Sequence, residues 1–427
     1  MLSHATAEAR LPTAEHWKGA VASASRTSER GLDWFTFFVA DIQTGFGPYL
    51  AVYLITQKWN QADLGLLLAF GSIAGLLSQV PGGWLVDRVV SKRRAAAAAV
   101  IGVGLSALLI AALPTFAGML AAMSLQVGSS AVLGPAIAAI SLGLVGHAAI
   151  GPRLGRNTRF AAIGNGLAAA VMGAVGYFIS PQAVFFSTAL LAIPTVWALT
   201  QISDSEIDPV RADGGIDAPA NDAPASTVLD LLRKRALATF ALCIFLFQAA
   251  NAAMLPLVGS EMTLRSAQWA SVLIAACIVV PQLVTATIAP GVGRLAARLG
   301  RRPILLAGFA VLPLRAVFLT VYRDPASIIV VQALDGVCGA VLGVLVPLVL
   351  ADISRGTGRF NLAQGLLACA TGLGAATSTS VAGYLAARFG TTAACLGLAV
   401  AAMGAFLTVL IGMQETMPRR ERTPEPK

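Results

Sequence analysis

Twelve predominantly apolar runs, most of them about twenty residues long, leave this chain few ways to fold. As a helix, a run of that length crosses a hydrocarbon core roughly 30 Å thick. Inside lipid every backbone N–H and C=O must find a partner within the spanning structure, which leaves helices or closed barrels. A barrel would show short alternating segments instead of continuous apolar runs. The runs cover residues 32–55, 64–86, 95–113, 116–143, 158–179 and 183–199, then 236–258, 269–289, 303–321, 326–350, 361–385 and 393–413. Composition agrees: 56% of residues are hydrophobic and 12% charged, with a mean hydropathy of +0.75, against about 25% charged in a soluble domain. The expected fold class is an all-α membrane protein of twelve transmembrane helices.

The net charge of +9 does not mark a nucleic-acid surface, because the basic residues alternate along the chain. Of the 30 lysines and arginines, 25 fall in the tails, the central linker and the connections after spans 2, 4, 8 and 10. Lys58, Arg265, Arg323 and Arg388 fall on the opposite side, and Arg315 lies inside a span. Positive charge collects on the cytoplasmic side, so both termini are expected in the cytoplasm and the protein in the inner (plasma) membrane. The first 31 residues lack the apolar segment of a signal peptide and read as a tail. The chain then divides into a tail (1–31), a six-helix half (32–200), a linker (201–235), a second half (236–413) and a tail (414–427). The linker, rich in Asp, Pro, Ala and Gly and ending in Arg233, Lys234 and Arg235, reads as flexible with a basic anchor. Cys243, Cys277, Cys338, Cys369 and Cys395 lie in or beside apolar runs with no Cys-x-x-Cys pair, so neither disulfide nor metal site is expected. No phosphate-binding loop or catalytic triad stands out; neither enzyme activity nor a cofactor is expected.

The halves repeat one another. Gly83 to Arg94 is a charged knot between spans 2 and 3, and Gly293 to Arg302 is a similar knot between spans 8 and 9. The quartet from Ala131 to Gly134 in span 4 returns as Ala340 to Gly343 in span 10, and Gln43 with Pro48 in span 1 corresponds to Asn251 with Pro256 in span 7. Two pseudo-symmetric six-helix halves are a transporter design with a solute site at their interface. In the first knot, Gly83 permits close helix contact, and Asp87 can pair with an arginine or cap another helix's N-terminus, holding one side closed. The plainer reading is an interfacial anchor obeying charge bias.

On these residues the chain resembles the major facilitator superfamily over nearly its whole length. That family's motif between spans 2 and 3 asks for Gly, three residues, Asp, a basic residue, one residue, Gly and then basic residues. Gly83, Asp87, Arg88, Lys92, Arg93 and Arg94 match, with Val90 in place of the second glycine. In the second copy Gly293, Arg298, Gly300, Arg301 and Arg302 match, with Ala297 in place of the acid. Features of the family's proton-coupled drug exporters are missing: Met123 stands where they carry an arginine before Gln126, and span 5 has no Gly-Pro pair. The resemblance implies that spans 1, 4, 7 and 10 line a central cavity.

Charges within a span are costly, and intramembrane acids are functional by default. Asp41 lies nine residues into span 1, about 14 Å along a helix, with no basic residue at comparable depth. A carboxylate out of water is hard to keep charged, which suits Asp41 to bind and release a proton; a structural acid bonded to backbone or to Thr44 is the alternative. Asp335 in span 10 and Arg315 in span 9 lie at similar depth, so an ion pair and a cavity role both stand open. Gln43, Tyr49, Gln126, Gln248, Asn251 and Gln332 are the candidate cavity residues, with interhelical hydrogen bonding as the competing role.

The expected activity is therefore secondary transport of a small solute by alternating access, as proton-coupled efflux of neutral or cationic amphipathic compounds. A proton-symport importer of a nutrient or metal chelate is the alternative within transport, and a transport-dead sensor or scaffold the alternative outside it. Expected partners are the solute, protons and membrane lipids, with the chain acting as a monomer and binding no nucleic acid.

Overall fold

The computed structural model describes residues 24–44, 46–215, 231, 233–265, 270–322 and 324–417. The remainder of both tails, linker residues 216–230, the start of span 8 and Arg323 lie outside the described residues, as does the side chain of Thr44.

The chain is an all-α membrane bundle of twelve spans. Eight are single helices: Gln61–Arg88, Lys92–Ala112, Pro181–Thr200, Ala270–Leu299, Arg301–Val321, Pro325–Ile353, Phe360–Phe389 and Thr391–Gly412, which are spans 2, 3, 6 and 8 to 12. Spans 1 and 7 are each broken near their middle, into Arg26–Thr44 with Gly47–Thr56 and Arg235–Asn251 with Met254–Arg265. Pro48 and Pro256, the corresponding prolines of the repeat, fall in the first turn of each second piece, where a missing N–H costs least. At the span 7 break the freed Ala253 amide donates to Ser378 Oγ of span 11 at 3.0 Å, the kind of partner that a donor freed inside lipid requires.

Spans 4 and 5 run as one element, Phe116–Phe178, interrupted at Gly146, whose φ of 66° requires glycine. The stretch 144–157, expected as a connection, is therefore almost wholly helical. Most turns carry their own caps: Asn60, Ser91, Thr115, Ser180 and Asp324 each accept the amide three residues on. Val90 can replace the motif's glycine because the first knot turns through extended backbone at Val89 and Ser91. The second knot turns through Gly300 at φ 99°, which a branched residue could not follow.

The two halves have separate apolar cores, the second extending onto Ala138, Leu142, Ile150 and Leu154 of spans 4 and 5. The described ends of both tails and linker residues 201–215 lie on one face, the tail side, where Ser25 N donates to Glu206 and Glu415 accepts from the amides of Arg301 and Arg302. The halves meet closely there. Gly83 of span 2 lies against the Asn361 carbonyl and Gly365 of span 11 against that of Gln79, while Gly151 of span 5 and Gly293 of span 8 face one another's backbones.

Linker residues 201–215 are not a free tether. Ile202, Ile207 and Ala212 are buried under the first half, Arg93 donates to the Ile202 carbonyl at 2.7 Å, and Gly356 donates to Gly214 at 2.7 Å. This strap joins the first half to the loop before span 11. Its apolar residues, spaced five apart, supply the burial that a composition count hides.

Candidate functional site

Between the halves is a cavity of about 300 Å³ walled by spans 1, 2, 4, 10 and 11. Gln43, Gln79, Ser130, Gln364 and Thr371 face it, among apolar residues such as Ile137, Val346 and Leu367, and none of its lining residues is charged. Gln126 reaches its edge by donating to Ser130 Oγ at 3.2 Å. Gln79 and Gln364 belong to spans 2 and 11, outside spans 1, 4, 7 and 10 on which the cavity residues are expected. The available signal was an amide beside a close-contact glycine, four residues before Gly83 and one before Gly365.

Below the cavity Asp87 spans the two halves. Its Oδ1 accepts from the Asn361 amide at 3.1 Å and from Asn361 Nδ2 at 2.9 Å, and its Oδ2 accepts from the Leu362 amide at 2.9 Å. These are the exposed donors of the first turn of span 11, so a span 2 carboxylate caps a helix of the other half. Lys92, buried at the start of span 3, donates to the carbonyls of Val86 and Val89 at 2.6 and 2.9 Å and pairs with Asp213 of the strap at 2.6 Å. Burial pushes the Asp213 carboxyl up to about 6, with Lys92 pulling the other way. The other basic members of the knots do not cross between halves. Arg88 stacks over Trp84 of its own helix, Arg93 holds the strap, and Arg94 and Arg298 are exposed. Arg301 pairs with Asp352 at 2.8 Å and Arg302 donates to the Leu410 carbonyl at 2.7 Å. Of the expected gate residues, Gly83, Asp87 and Gly293 are those that meet the opposite half.

Asp41 does not face the interface cavity. It turns toward spans 5 and 6, lining a separate pocket with Phe37, Ala168 and Met172. It is 5% exposed, and its Oδ1 is buried without a hydrogen-bond partner among the described residues. Tyr49 is likewise off the interface: its hydroxyl donates to the Ala169 carbonyl of span 5 at 3.2 Å. Gln248 lies against Gly374 of span 11, within its own half.

Arg315 and Asp335 do pair, at 2.5 Å. Arg315 also donates to Gln332 Oε1 through Nε at 3.0 Å and Nη2 at 2.6 Å, and to Asn251 Oδ1 at 2.5 Å. Three candidate cavity residues are thus occupied with one buried guanidinium, which two amides and a carboxylate satisfy. A second buried pair escaped the sequence reading. Asp33, near the start of span 1, binds both Arg153 and Arg156. Arg153 also donates to Asn157 Oδ1 at 2.9 Å, and Asn157 to Ser141 Oγ at 2.7 Å.

Two six-helix halves enclosing an uncharged polar cavity, clamped together on one side, define a membrane transporter of the alternating-halves kind. The sequence profile of the Major Facilitator Superfamily matches residues 34–312 and 237–427, and the chain belongs to that family. Two relatives, from two strains of Mycobacterium tuberculosis and each described as an uncharacterized MFS-type transporter, are 39% identical over 404 residues, covering 93% of this chain and 96% of theirs. The crystal structure of the human organic anion transporter MFSD10 (TETRAN) superposes with a TM-score of 0.65 at 17% identity, over 90% of this chain and 99% of that one. A mutant of the nucleoside transporter NupG gives 0.63 at 16% identity, over 90% and 100%. The relatives place the chain among bacterial-type members; the solved structures share the fold.

Proposed function

We propose that the chain is a proton-coupled exporter of a small neutral, partly apolar solute, working by alternating access with the tail side in the cytoplasm of a bacterial inner membrane. The observation that carries this reading is the interface cavity, whose amides and hydroxyls offer both donors and acceptors and whose lining holds no charge. Arg315 does not serve as an anion receptor, because Asp335, Gln332 and Asn251 engage it. The cavity chemistry therefore matches a neutral hydrogen-bonding solute, nucleosides among them, better than an organic anion. Asp87 is the latch that holds the tail side closed, and Asp41 carries the coupled proton. Asp41 and Gln43 lie two residues apart on one helix, so a change of charge at Asp41 alters how span 1 seats against spans 5 and 6 while Gln43 touches solute on its other face.

The test uses purified protein in liposomes holding a pH-sensitive dye, with a radiolabelled panel of neutral amphiphiles, uridine and an organic anion, under an imposed pH gradient. Flux of a neutral solute driven by the gradient, and uncoupled by Asp41→Asn, is the expected result. Flux indifferent to both gradient and substitution would remove Asp41 from the mechanism, and selective movement of the anion would overturn the assignment of solute class. Asp335 is the second candidate for coupling, since its side chain is 34% exposed; loss of coupling in Asp335→Asn alone would transfer the role there.

A further inference from the structure

A second pocket, of about 460 Å³, opens on the flank of the first half between spans 1, 5 and 6. Leu167, Val171, Leu190 and Ile193 form its outer walls, and Leu190 and Ile193 are 65% and 66% exposed. Apolar side chains exposed on the outside of a membrane bundle face lipid, so this pocket communicates with the hydrocarbon, not with the interface cavity. Asp41 is the charged residue of its lining, and one of its oxygens has no partner among the described residues. Two further groups look into the same space. Phe37 and Phe38 present rings whose centroids are 5.1 Å apart, and Ser187 donates its proton to the Ala183 carbonyl at 2.9 Å, which leaves its oxygen free to accept.

We propose that this pocket is a ligand site for a lipophilic amine in its ammonium form, reached from the membrane and anchored on Asp41. The recognition is complementary at each point. An ammonium N–H supplies the donor and the positive charge that the buried carboxylate lacks, at a depth where water cannot. The aromatic rings favour a cation near their faces, and Ser187 Oγ accepts a second N–H. The apolar body of the amine fills walls of the same character, and the bilayer concentrates such molecules beside the opening. Neutral amphiphiles would lose the charge-assisted contact, and anions would meet Asp41 with like charge. This site shares Asp41 with the coupling role proposed above but needs nothing from the interface cavity, so either can fail without the other.

The test is equilibrium binding of tritiated propranolol, a lipophilic secondary amine, to the full chain in lipid nanodiscs, read by scintillation proximity. Saturable binding is expected in the wild type, with affinity lowered about tenfold or more in Asp41→Asn. Val171→Trp places an indole in the pocket from a half-exposed position, so it should leave thermal unfolding unchanged and weaken binding to a similar extent. Gln79→Ala, in the interface cavity, should leave it unaltered. Absence of saturable binding, or equal affinity in Asp41→Asn, would overturn the proposal. Loss of binding in Gln79→Ala with retention in Val171→Trp would overturn it too, by placing the amine between the halves.

Discussion

Replacing Asp87 by alanine should open the tail side without unfolding the protein, and the size of the effect can be worked from its contacts. The carboxylate accepts two backbone amides and one side-chain amide from the first turn of span 11. A single hydrogen bond to a charged group contributes about 1.5–3 kcal/mol, and loss of a helix cap costs about 0.5–2 kcal/mol. The three contacts are not additive, and water solvates the freed amides once the halves part, so a net loss of about 2–3 kcal/mol is appropriate. At tenfold per 1.4 kcal/mol, the ratio of closed to open molecules falls roughly 30- to 150-fold. A latch closed in about 99 of 100 molecules would then be closed in about 77 to 40 of them. Asp87→Asn keeps one accepting oxygen and loses the charge, so it should fall between wild type and alanine.

Spin labels at Arg94→Cys and Arg355→Cys, both exposed on the tail side and on opposite halves, would report the separation by double electron–electron resonance. Cys369 would first be replaced, since the other four cysteines are buried. The expected outcome is growth of a longer distance in the order wild type, Asp87→Asn, Asp87→Ala. A distribution unchanged by Asp87→Ala in a folded protein would refute the latch, and would mean that glycine-mediated contact between spans 2 and 11 suffices.

Arg315→Leu should lower thermal stability in detergent, because it leaves Asp335, Gln332 and Asn251 without their shared donor. Breaking a buried pair costs about 3–5 kcal/mol, and Asp335, being part exposed, recovers some of that from water. Adding Asp335→Asn should restore part of the loss, whereas simple additivity of the two unfolding shifts would count against a coupled pair. Asp33→Ala should be costlier, near the upper end of that range, since Arg153 is 5% exposed and would stay charged and buried; a melting temperature within a degree of wild type would contradict this. The strap should respond to pH. Asp213 holds its proton up to about 6 when buried beside Lys92, with Asp87 and Arg359 also in reach, against about 3.9 when free in water. The closed strap therefore binds the proton more tightly, an advantage complete below about 4 and lost as pH rises toward 6. Label distances should shift toward the closed form between pH 7 and pH 5, and Asp213→Asn should flatten that response. Opening on acidification would reverse the sign and refute it.

The spans were legible because lipid allows so few alternatives, and the repeat because whole motifs recur in both halves. What the sequence could not resolve is which way a side chain turns. Asp41 and Gln43 are two residues apart, hence about 200° around a helix, so they cannot both face the solute cavity. The family resemblance assigned span 1 to the cavity and carried Asp41 with it, but the cavity takes Gln43 and leaves Asp41 to spans 5 and 6. Tyr49 was misplaced in the same way. The Asp33 pair was hidden because Arg153 and Arg156 had a sufficient explanation in charge bias. Their spacing with Asn157 fits one helical face, a signal visible only if 144–157 is read as helix.

The two charged knots began as copies, and the structure shows how far they have diverged in the work they do. Each places a glycine against the backbone of a helix from the other half, Gly83 on Asn361 and Gly293 on Gly151. That contact depends on shape and is indifferent to charge. Only the first copy adds a carboxylate aimed at freed helix donors, and it does so where the strap, Lys92 and Asp213 converge. At the second, Ala297 leaves the contact between spans 5 and 8 to surface fit, and Glu415 from the tail caps span 9 within its own half. Parting the halves thus costs mainly van der Waals contact along spans 5 and 8, but directed hydrogen bonds along spans 2 and 11. A close-fitting pair can rock or slide by small steps, whereas a capped helix end is either bonded or released. Under the alternating-access reading proposed above, the two-state character of the closure would lie with Asp87, and spans 5 and 8 would serve as the surface on which the halves turn.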